Sequence, residues 1–186
     1  KLMLNSLYGK FATNPKKQNK IPRVIDGEIK LQLDDPTYDK PVYTALACFI
    51  TARARAYTIS NAQALYPHWV YSDTDSMYLT GITEQEASAY INIHKSNLGA
   101  WKLEHHFNMA KFLRPKTYIM ESIEDGLTIT CAGMPDNIKN NVLQLGTNTA
   151  FKQFTYGARF DGKLIPKRVK GGVVLCKTEF TISNDK

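Results

Sequence analysis

Cysteine is scarce and scattered in this sequence. Cys48, Cys131 and Cys176 stand far apart and are odd in number. That spacing offers neither a disulfide framework nor the close ligand pairs of a zinc site, and a reducing, intracellular setting is the expectation. Long apolar runs are missing too. None approaches the roughly 18 residues that a membrane-spanning helix needs, so no membrane partner is expected. A signal-peptide pattern, an internal repeat and a low-complexity stretch are likewise absent. Acid is missing at one end: residues 1–20 carry Lys1, Lys10, Lys16, Lys17 and Lys20 but no Asp or Glu. The first residue is not Met, and the chain begins inside what reads as a helix, so a piece of a longer protein is expected.

What is present suffices for a folded domain. The 186 residues are 43% hydrophobic, enough for one sizeable core or a core with a small appended subdomain. The formal net charge is +7. Besides the N-terminal lysines, the tail carries Lys152, Arg159, Lys163, Lys167, Arg168, Lys170, Lys177 and Lys186 against Asp161, Glu179 and Asp185. Charge alone leaves two readings open: two solvated basic faces, or a surface at both ends of the chain that tracks phosphates.

Periodicity gives the elements. Residues 1–12 read as a helix with Leu4, Leu7 and Phe11 on one face and Lys1, Asn5, Tyr8 and Ala12 on another, ended by Asn14-Pro15. Residues 21–33 read as a hairpin around Asp26-Gly27. The Ala-rich stretch 44–65 predicts a long helix that stops at Pro67. Residues 69–80 switch to strand–turn–strand. A helix is expected over 83–98, with Thr83 and Glu86 as a capping box and Gly99 as its stop. Residues 101–131 read as strands with a turn near Glu124-Asp125-Gly126. Residues 135–154 read as helical with a break at Gly146, and 163–182 as strands around Gly171-Gly172. Helices, strands and hairpins mix without regular alternation, which argues an α+β fold. A subdomain boundary is expected near Gly133-Met134-Pro135.

Two groups of residues carry chemistry. Asp73 and Asp75 alternate within the short hairpin Tyr71-Ser72-Asp73-Thr74-Asp75-Ser76. In extended backbone, alternate side chains point the same way, and two carboxylates so close repel unless a cation sits between them. Hard oxygen ligands suit Mg²⁺ or Mn²⁺, and two such ions roughly 3.5–4 Å apart clamp an in-line phosphoryl transfer. The alternative is a polar hairpin tip with Asp chosen for its turn propensity. On two aspartates alone that is the commoner case; the flanking apolar strand residues Val70-Tyr71 and Met77-Tyr78-Leu79 favour the metal site. On the first helix, Lys1 could neutralise phosphates and Tyr8 could stack on a base, or the two could belong to an ordinary solvated face.

Taken together these residues resemble a known family. Lys1-Leu2-Met3-Leu4-Asn5-Ser6-Leu7-Tyr8-Gly9 matches the nucleotide-binding helix motif K-x-x-x-N-S-x-Y-G of family B DNA polymerases, Tyr71 to Ser76 matches their Y-x-D-T-D-S metal motif, and Lys116-Thr117-Tyr118 matches their K-x-Y motif. The resemblance is to the protein-primed polymerases of small linear-genome phages and linear plasmids, which carry T-x-x-A-R between the two main motifs, here Thr51, Ala54 and Arg55. It runs on through Cys131-Ala132-Gly133-Met134 and Gly171-Gly172-Val173-Val174-Leu175 and covers essentially the whole chain.

The resemblance implies a polymerase palm, an antiparallel sheet with helices and a remnant of a fingers helix at the N-terminus, plus a small thumb. Residues 1–15 would form the nucleotide-binding helix, 16–43 a clamp-like hairpin insertion serving processivity and strand displacement, 44–134 the palm and 135–186 the thumb. Lys1 would contact the triphosphate of the incoming dNTP; Asn5 and Tyr8 would shape its pocket, with Gly9 permitting close approach. Asp73 and Asp75 would be catalytic metal ligands for two Mg²⁺ or Mn²⁺ ions in the complete protein. Thr51 and Arg55 would hold DNA, and Lys116 and Tyr118 would place the primer strand. The cluster Lys16, Lys17, Lys20 and Arg23 would meet DNA phosphates on the hairpin, and Lys167, Arg168 and Lys170 would do so on the thumb. Primer-template DNA, dNTPs and a terminal priming protein are the implied partners, in the cytoplasm of a bacterial host for a phage enzyme. The family's other palm carboxylate lies upstream of Lys1, so the chain by itself is expected to be inactive. Two other classes compete: a non-catalytic nucleic-acid-binding module, which gives no reason for Asp73 and Asp75, and a metal-dependent nuclease, which gives none for Lys1, Asn5 and Tyr8 on one helix face.

Overall fold

A computed structural model describes residues 6, 9–40 and 42–184. Lys1, Asn5 and Tyr8, together with Leu4 and Leu7 of the expected first helix, lie outside the described residues. Ser6 and residues 9–11 are helical. The chain divides into two compact units, Lys1–Tyr66 with Thr74–Met77, and Pro67–Asp73 with Tyr78–Lys186.

In the first unit, the expected hairpin forms from Lys20–Ile25 (β2) and Glu28–Leu33 (β3). Asp26 and Gly27 take φ of 54° and 75°, the pair of positive angles that a two-residue turn needs to follow strand twist. A short ladder that the sequence did not announce closes its base: Lys16–Lys17 (β1) pairs with Thr37–Tyr38 (β4), and Lys17 forms an ion pair with Asp39. Thr44–Ala64 (α1) forms as expected. Only Ala47 of this helix is buried, and Phe49, Ile50, Tyr57 and Ile59 are exposed. No helix among the described residues is long and apolar enough to cross a membrane.

Trp69–Asp73 (β5) and Ser76–Leu79 (β6) pair as the expected strand–turn–strand. The helix expected over 83–98 is a correction. Its capping box forms, with Thr83 and Glu86 bonded reciprocally, but the helix covers only Glu84–Ala87 (α2). The next residues have a better use for their backbone groups. Trp101 N–H donates to the Asn92 carbonyl at 2.8 Å, His94 N–H donates to the Trp101 carbonyl at 2.8 Å, and the His94 ring Nδ1 accepts from Ser96 and Asn97 N–H at 3.1 Å each. β-Branched Ile91 and Ile93 with Asn92 between them, and Ser96-Asn97 after them, are weak helix formers, so this loop wins.

The remainder of the second unit builds one core. Phe107–Arg114 (β7), Thr117–Ser122 (β8) and Gly126–Cys131 (β9) form an antiparallel three-stranded sheet with β8 in the centre. The turn at 124–126 is as expected; a second turn, at Pro115-Lys116, was not foreseen. Central position explains why Thr117, Ile119, Met120 and Ser122 are all buried. Asp136–Leu143 (α3) and Thr147–Gln153 (α4) follow, separated at Gly146 with φ 77° as expected. Ile138 and Val142, one helical turn apart, meet Ile119, Met134, Phe154, Phe180 and Ile182. Burial of each such side chain stabilises by roughly 1.5–3 kcal/mol. Cys131 sits in this core, and burial pushes its thiol pKa up, as for a packing residue rather than a nucleophile.

Arg159–Val169 (β10) and Gly172–Thr181 (β11) close the chain as the long hairpin expected around Gly171-Gly172, starting a few residues earlier than expected. A bulge at Gly162 interrupts its register. Phe180 and Ile182 beside the bulge are buried, while Leu164, Ile165, Val173, Val174 and Leu175 beyond it are exposed. Asn137 of α3 donates its side-chain N–H to the Gly162 carbonyl at 3.1 Å. A Cβ at position 162 would sit 3.0 Å from that Nδ2, on a residue with φ 109°. Gly162→Ala is therefore expected to destabilise the chain by about 1–3 kcal/mol. Denaturant unfolding measures it; an unchanged midpoint would show that the bulge is not held this way.

Candidate functional site

The residues singled out by sequence divide between the two units. Gly9, Thr51, Arg55 and Asp75 belong to the first. Gly9 is helical and exposed, and no atom of the described residues lies within 4 Å of where its Cβ would point. Thr51 and Arg55 are exposed on α1, and the Thr51 hydroxyl is engaged locally, reaching the Ala47 and Cys48 carbonyls at 3.0 and 2.9 Å. Of the basic residues on the β2–β3 hairpin and its base, Lys17 of β1 pairs with Asp39 and Arg23 of β2 approaches Asp34 at 3.9 Å. These exposed pairs are worth about 0–1 kcal/mol each, so they yield readily to a competing anion.

Asp73, Lys116 and Tyr118 come together in the second unit. Asp73 ends β5, and Thr74-Asp75 form the turn, so the two aspartates are not alternate residues of one extended strand as the spacing suggested. Thr74 has φ 58°. A β-branched residue there costs about 1–3 kcal/mol, and a hairpin tip selected for turn propensity would carry Asn or Gly. Turn propensity alone does not select Thr at such a position.

The other side of the site is the Pro115-Lys116 turn. Pro followed by a left-handed residue is the order of a type II turn, whose second position favours Gly; here Lys116 occupies it with φ 57°. The strain of about 1–3 kcal/mol is offset by three bonds. The Lys116 N–H donates to the Tyr71 phenol oxygen at 2.9 Å, and the Lys116 carbonyl accepts from Ala132 N–H at 2.8 Å. Its ammonium donates to Asp73 Oδ1 at 2.7 Å. The Asp73 side chain is only 15% exposed and that of Lys116 59%. The pairing thus hides the carboxylate and leaves the cation open to an anionic ligand.

The hydrogen bond to Asp73 raises the Lys116 pKa. A raised lysine pKa means that the pair contributes fully below the ordinary value of about 10.4 and is lost only as pH rises through the higher folded value. The ammonium is charged throughout the neutral range. Burial raises the Tyr71 phenol, the Lys116 N–H opposing and the Asp73 charge adding, so its hydroxyl stays protonated there.

Aromatic rings set this geometry. Tyr71 stacks on Phe112 with centroids 4.7 Å apart and lies 5.6 Å from Tyr78 and 5.5 Å from Tyr118. Tyr78 donates to the Tyr118 hydroxyl oxygen at 3.0 Å. Such ring pairs add about 0.5–1.5 kcal/mol each beyond area burial. Phe112 had no part in the sequence-based site, and Tyr71 and Tyr78 entered it only as motif or flanking strand residues. Strand alternation signals buried rings, but no pattern in the sequence pairs a tyrosine hydroxyl with a backbone N–H far along the chain.

Known proteins are similar to this chain. The profile of the family described as DNA polymerase type B, organellar and viral, covers residues 1–92. The DNA polymerase of Bacillus phage Nf is 42% identical over 200 aligned positions, which include 98% of this chain and 34% of the relative. That of Bacillus phage phi29 is 41% identical, with 98% and 33% covered. The solved structure of phi29 DNA polymerase complexed with primer-template DNA and incoming nucleotide substrates superposes with a TM-score of 0.81 at 40% identity, over 98% of this chain and 33% of that one. The chain thus spans a third of the length of the relatives it matches. Sequence and fold agree over nearly all its residues, and the chain belongs to the family B DNA polymerases of the phi29-like, protein-primed phages.

Proposed function

We propose that the chain supplies the palm and thumb of a DNA-directed DNA polymerase that adds templated nucleotides to a primer 3′-hydroxyl by a two-metal mechanism, in protein-primed replication of phage or plasmid DNA. The observation that carries this reading is the bond from the Lys116 ammonium to Asp73 Oδ1. It joins the Tyr-Ser-Asp-Thr-Asp-Ser hairpin to Lys116-Thr117-Tyr118, two motifs far apart in sequence. The solved phi29 relative, complexed with primer-template DNA and incoming nucleotides, supports the same partners here, with a terminal priming protein as a further one. Within the chain, 1–15 would serve as nucleotide-binding helix, 16–43 as the clamp-like insertion, 44–134 as palm and 135–186 as thumb.

Aspartate oxygens are the hard donors that Mg²⁺ or Mn²⁺ takes. Among the described residues no three His, Cys, Asp or Glu side chains gather as a metal cage, and Lys116 engages one oxygen of Asp73. Asp73 and Asp75 carry such oxygens and would form part of a donor set that upstream residues and nucleotide phosphates complete. Asp73 and Asp75 would hold the ions, which when bound supply positive charge against the developing phosphoryl charge and lower the pKa of the primer hydroxyl. The chain's own residues bind and orient. Lys1 offsets triphosphate charge, Asn5 and Tyr8 shape the nucleotide pocket beside Gly9, Thr51 and Arg55 hold DNA, and Lys116 and Tyr118 contact the primer backbone.

Two outcomes test this. The 186-residue chain alone, lacking the upstream carboxylate, is expected to incorporate no nucleotide on a primed template with Mg²⁺; measurable templated extension would overturn the fragment reading. In the complete protein, Asp75→Asn is expected to cut extension by roughly 10²–10³-fold or more while gel-shift affinity for primer-template stays within about twofold. Extension that survives the substitution would remove Asp75 from the metal site.

A further inference from the structure

Strand β5 carries two residues of one face, Tyr71 and Asp73, and both reach the same residue of the neighbouring sheet. Side chains at i and i+2 of a strand share a face. Tyr71 takes the Lys116 backbone, through the N–H at 2.9 Å, and Asp73 takes the Lys116 ammonium, at 2.7 Å. Lys116 is thus gripped at its root and at its tip by one rigid strand. The grip is needed because Lys116 holds a left-handed backbone, φ 57°, at a turn position where glycine is the favoured residue. Without an acceptor for its N–H, the turn would lose the bond that fixes its rotation. The direction in which the side chain leaves the backbone, and so the place of its ammonium, would loosen with it. Tyr71 is itself fixed: its ring stacks on Phe112 and contacts Tyr78 and Tyr118.

We propose that Tyr71 is a positioning residue for the polymerase reaction, its phenol oxygen aligning the Lys116 turn so that the ammonium is presented to the primer-strand phosphate while tethered to Asp73. This rests on the polymerase reading of Lys116. The ring and the hydroxyl have separate duties. The ring packs the aromatic cluster, whereas the hydroxyl sets the turn. Tyr71→Phe keeps the first and removes only the second.

The test is a double-mutant cycle on the complete polymerase, with Tyr71→Phe, Lys116→Ala and both together, read as single-turnover extension against primer-template concentration and, separately, against dNTP concentration. Lys116→Ala is expected to weaken use of the primer terminus. Tyr71→Phe is expected to weaken it by about 5–10-fold, the cost of one lost hydrogen bond to a half-buried group, with the KM for dNTP changed less than about twofold. If Tyr71 acts through Lys116, adding Tyr71→Phe to Lys116→Ala changes nothing further. A Tyr71→Phe enzyme equal to the parent, or a defect of the same factor in the Lys116→Ala background, would overturn the proposal. So would a Tyr71→Phe protein that fails to fold, since the hydroxyl would then be structural. A Lys116→Ala enzyme with unimpaired extension would instead remove Lys116 from the primer site and with it the reading on which the proposal rests.

Discussion

The arrangement of the site depends on one strained residue, Lys116, whose left-handed backbone is held open by bonds to Tyr71, Asp73 and Ala132. A lysine does not rest in this conformation unaided. Once held there, it ties the β5–β6 hairpin to the β7–β8 turn and sets a cation beside a carboxylate that would otherwise repel a polyanion. The ion pair is partly exposed and contributes little to stability by itself. Its value lies in placement: the charge is fixed in direction and remains accessible.

Besides Asp26 in its hairpin turn, the non-glycine residues with positive φ among the described residues are Thr74 and Lys116, and both are in motifs that carry chemistry. Evolution tends to keep such conformations where the surroundings over-determine them. Around Lys116 the surroundings are visible: four packed rings, two backbone bonds and a buried sheet centred on Ile119. The bulge at Gly162 plays a related part further along, fixing the long β10–β11 hairpin to α3 through Asn137. Beyond the bulge the hairpin is exposed and carries Lys167, Arg168 and Lys170.

Much of the fold was legible in the sequence because local rules and tertiary packing agreed. Asp26-Gly27 demanded a hairpin turn, and both residues take positive φ. Ala-rich 44–65 became a helix within one residue at its C-terminal end, and Gly146 broke the following pair of helices where expected. Helix 83–98 was misread because a true capping box was extended over residues whose backbone bonds belong to Trp101. The turn at Pro115-Lys116 was missed because lysine is a poor turn residue; only its long-range bonds make it one. The chemistry of the site was legible through motif residues, but Tyr71's hydrogen bond was not, since a contact between a hydroxyl and a distant N–H leaves no periodic trace. Lys1, Asn5 and Tyr8 fall outside the described residues and keep the status that sequence alone lends them.

Relatives of this family match along nearly the whole chain, yet the chain spans only a third of their length, so the catalytic claim belongs to the complete protein. The most direct measurement offers that protein a primed template with Mg²⁺ and one dNTP at a time. Extension by the complementary nucleotide alone, dependent on Mg²⁺, is the predicted result. Equal incorporation of all four, or shortening of the primer with no extension under any nucleotide, would contradict it.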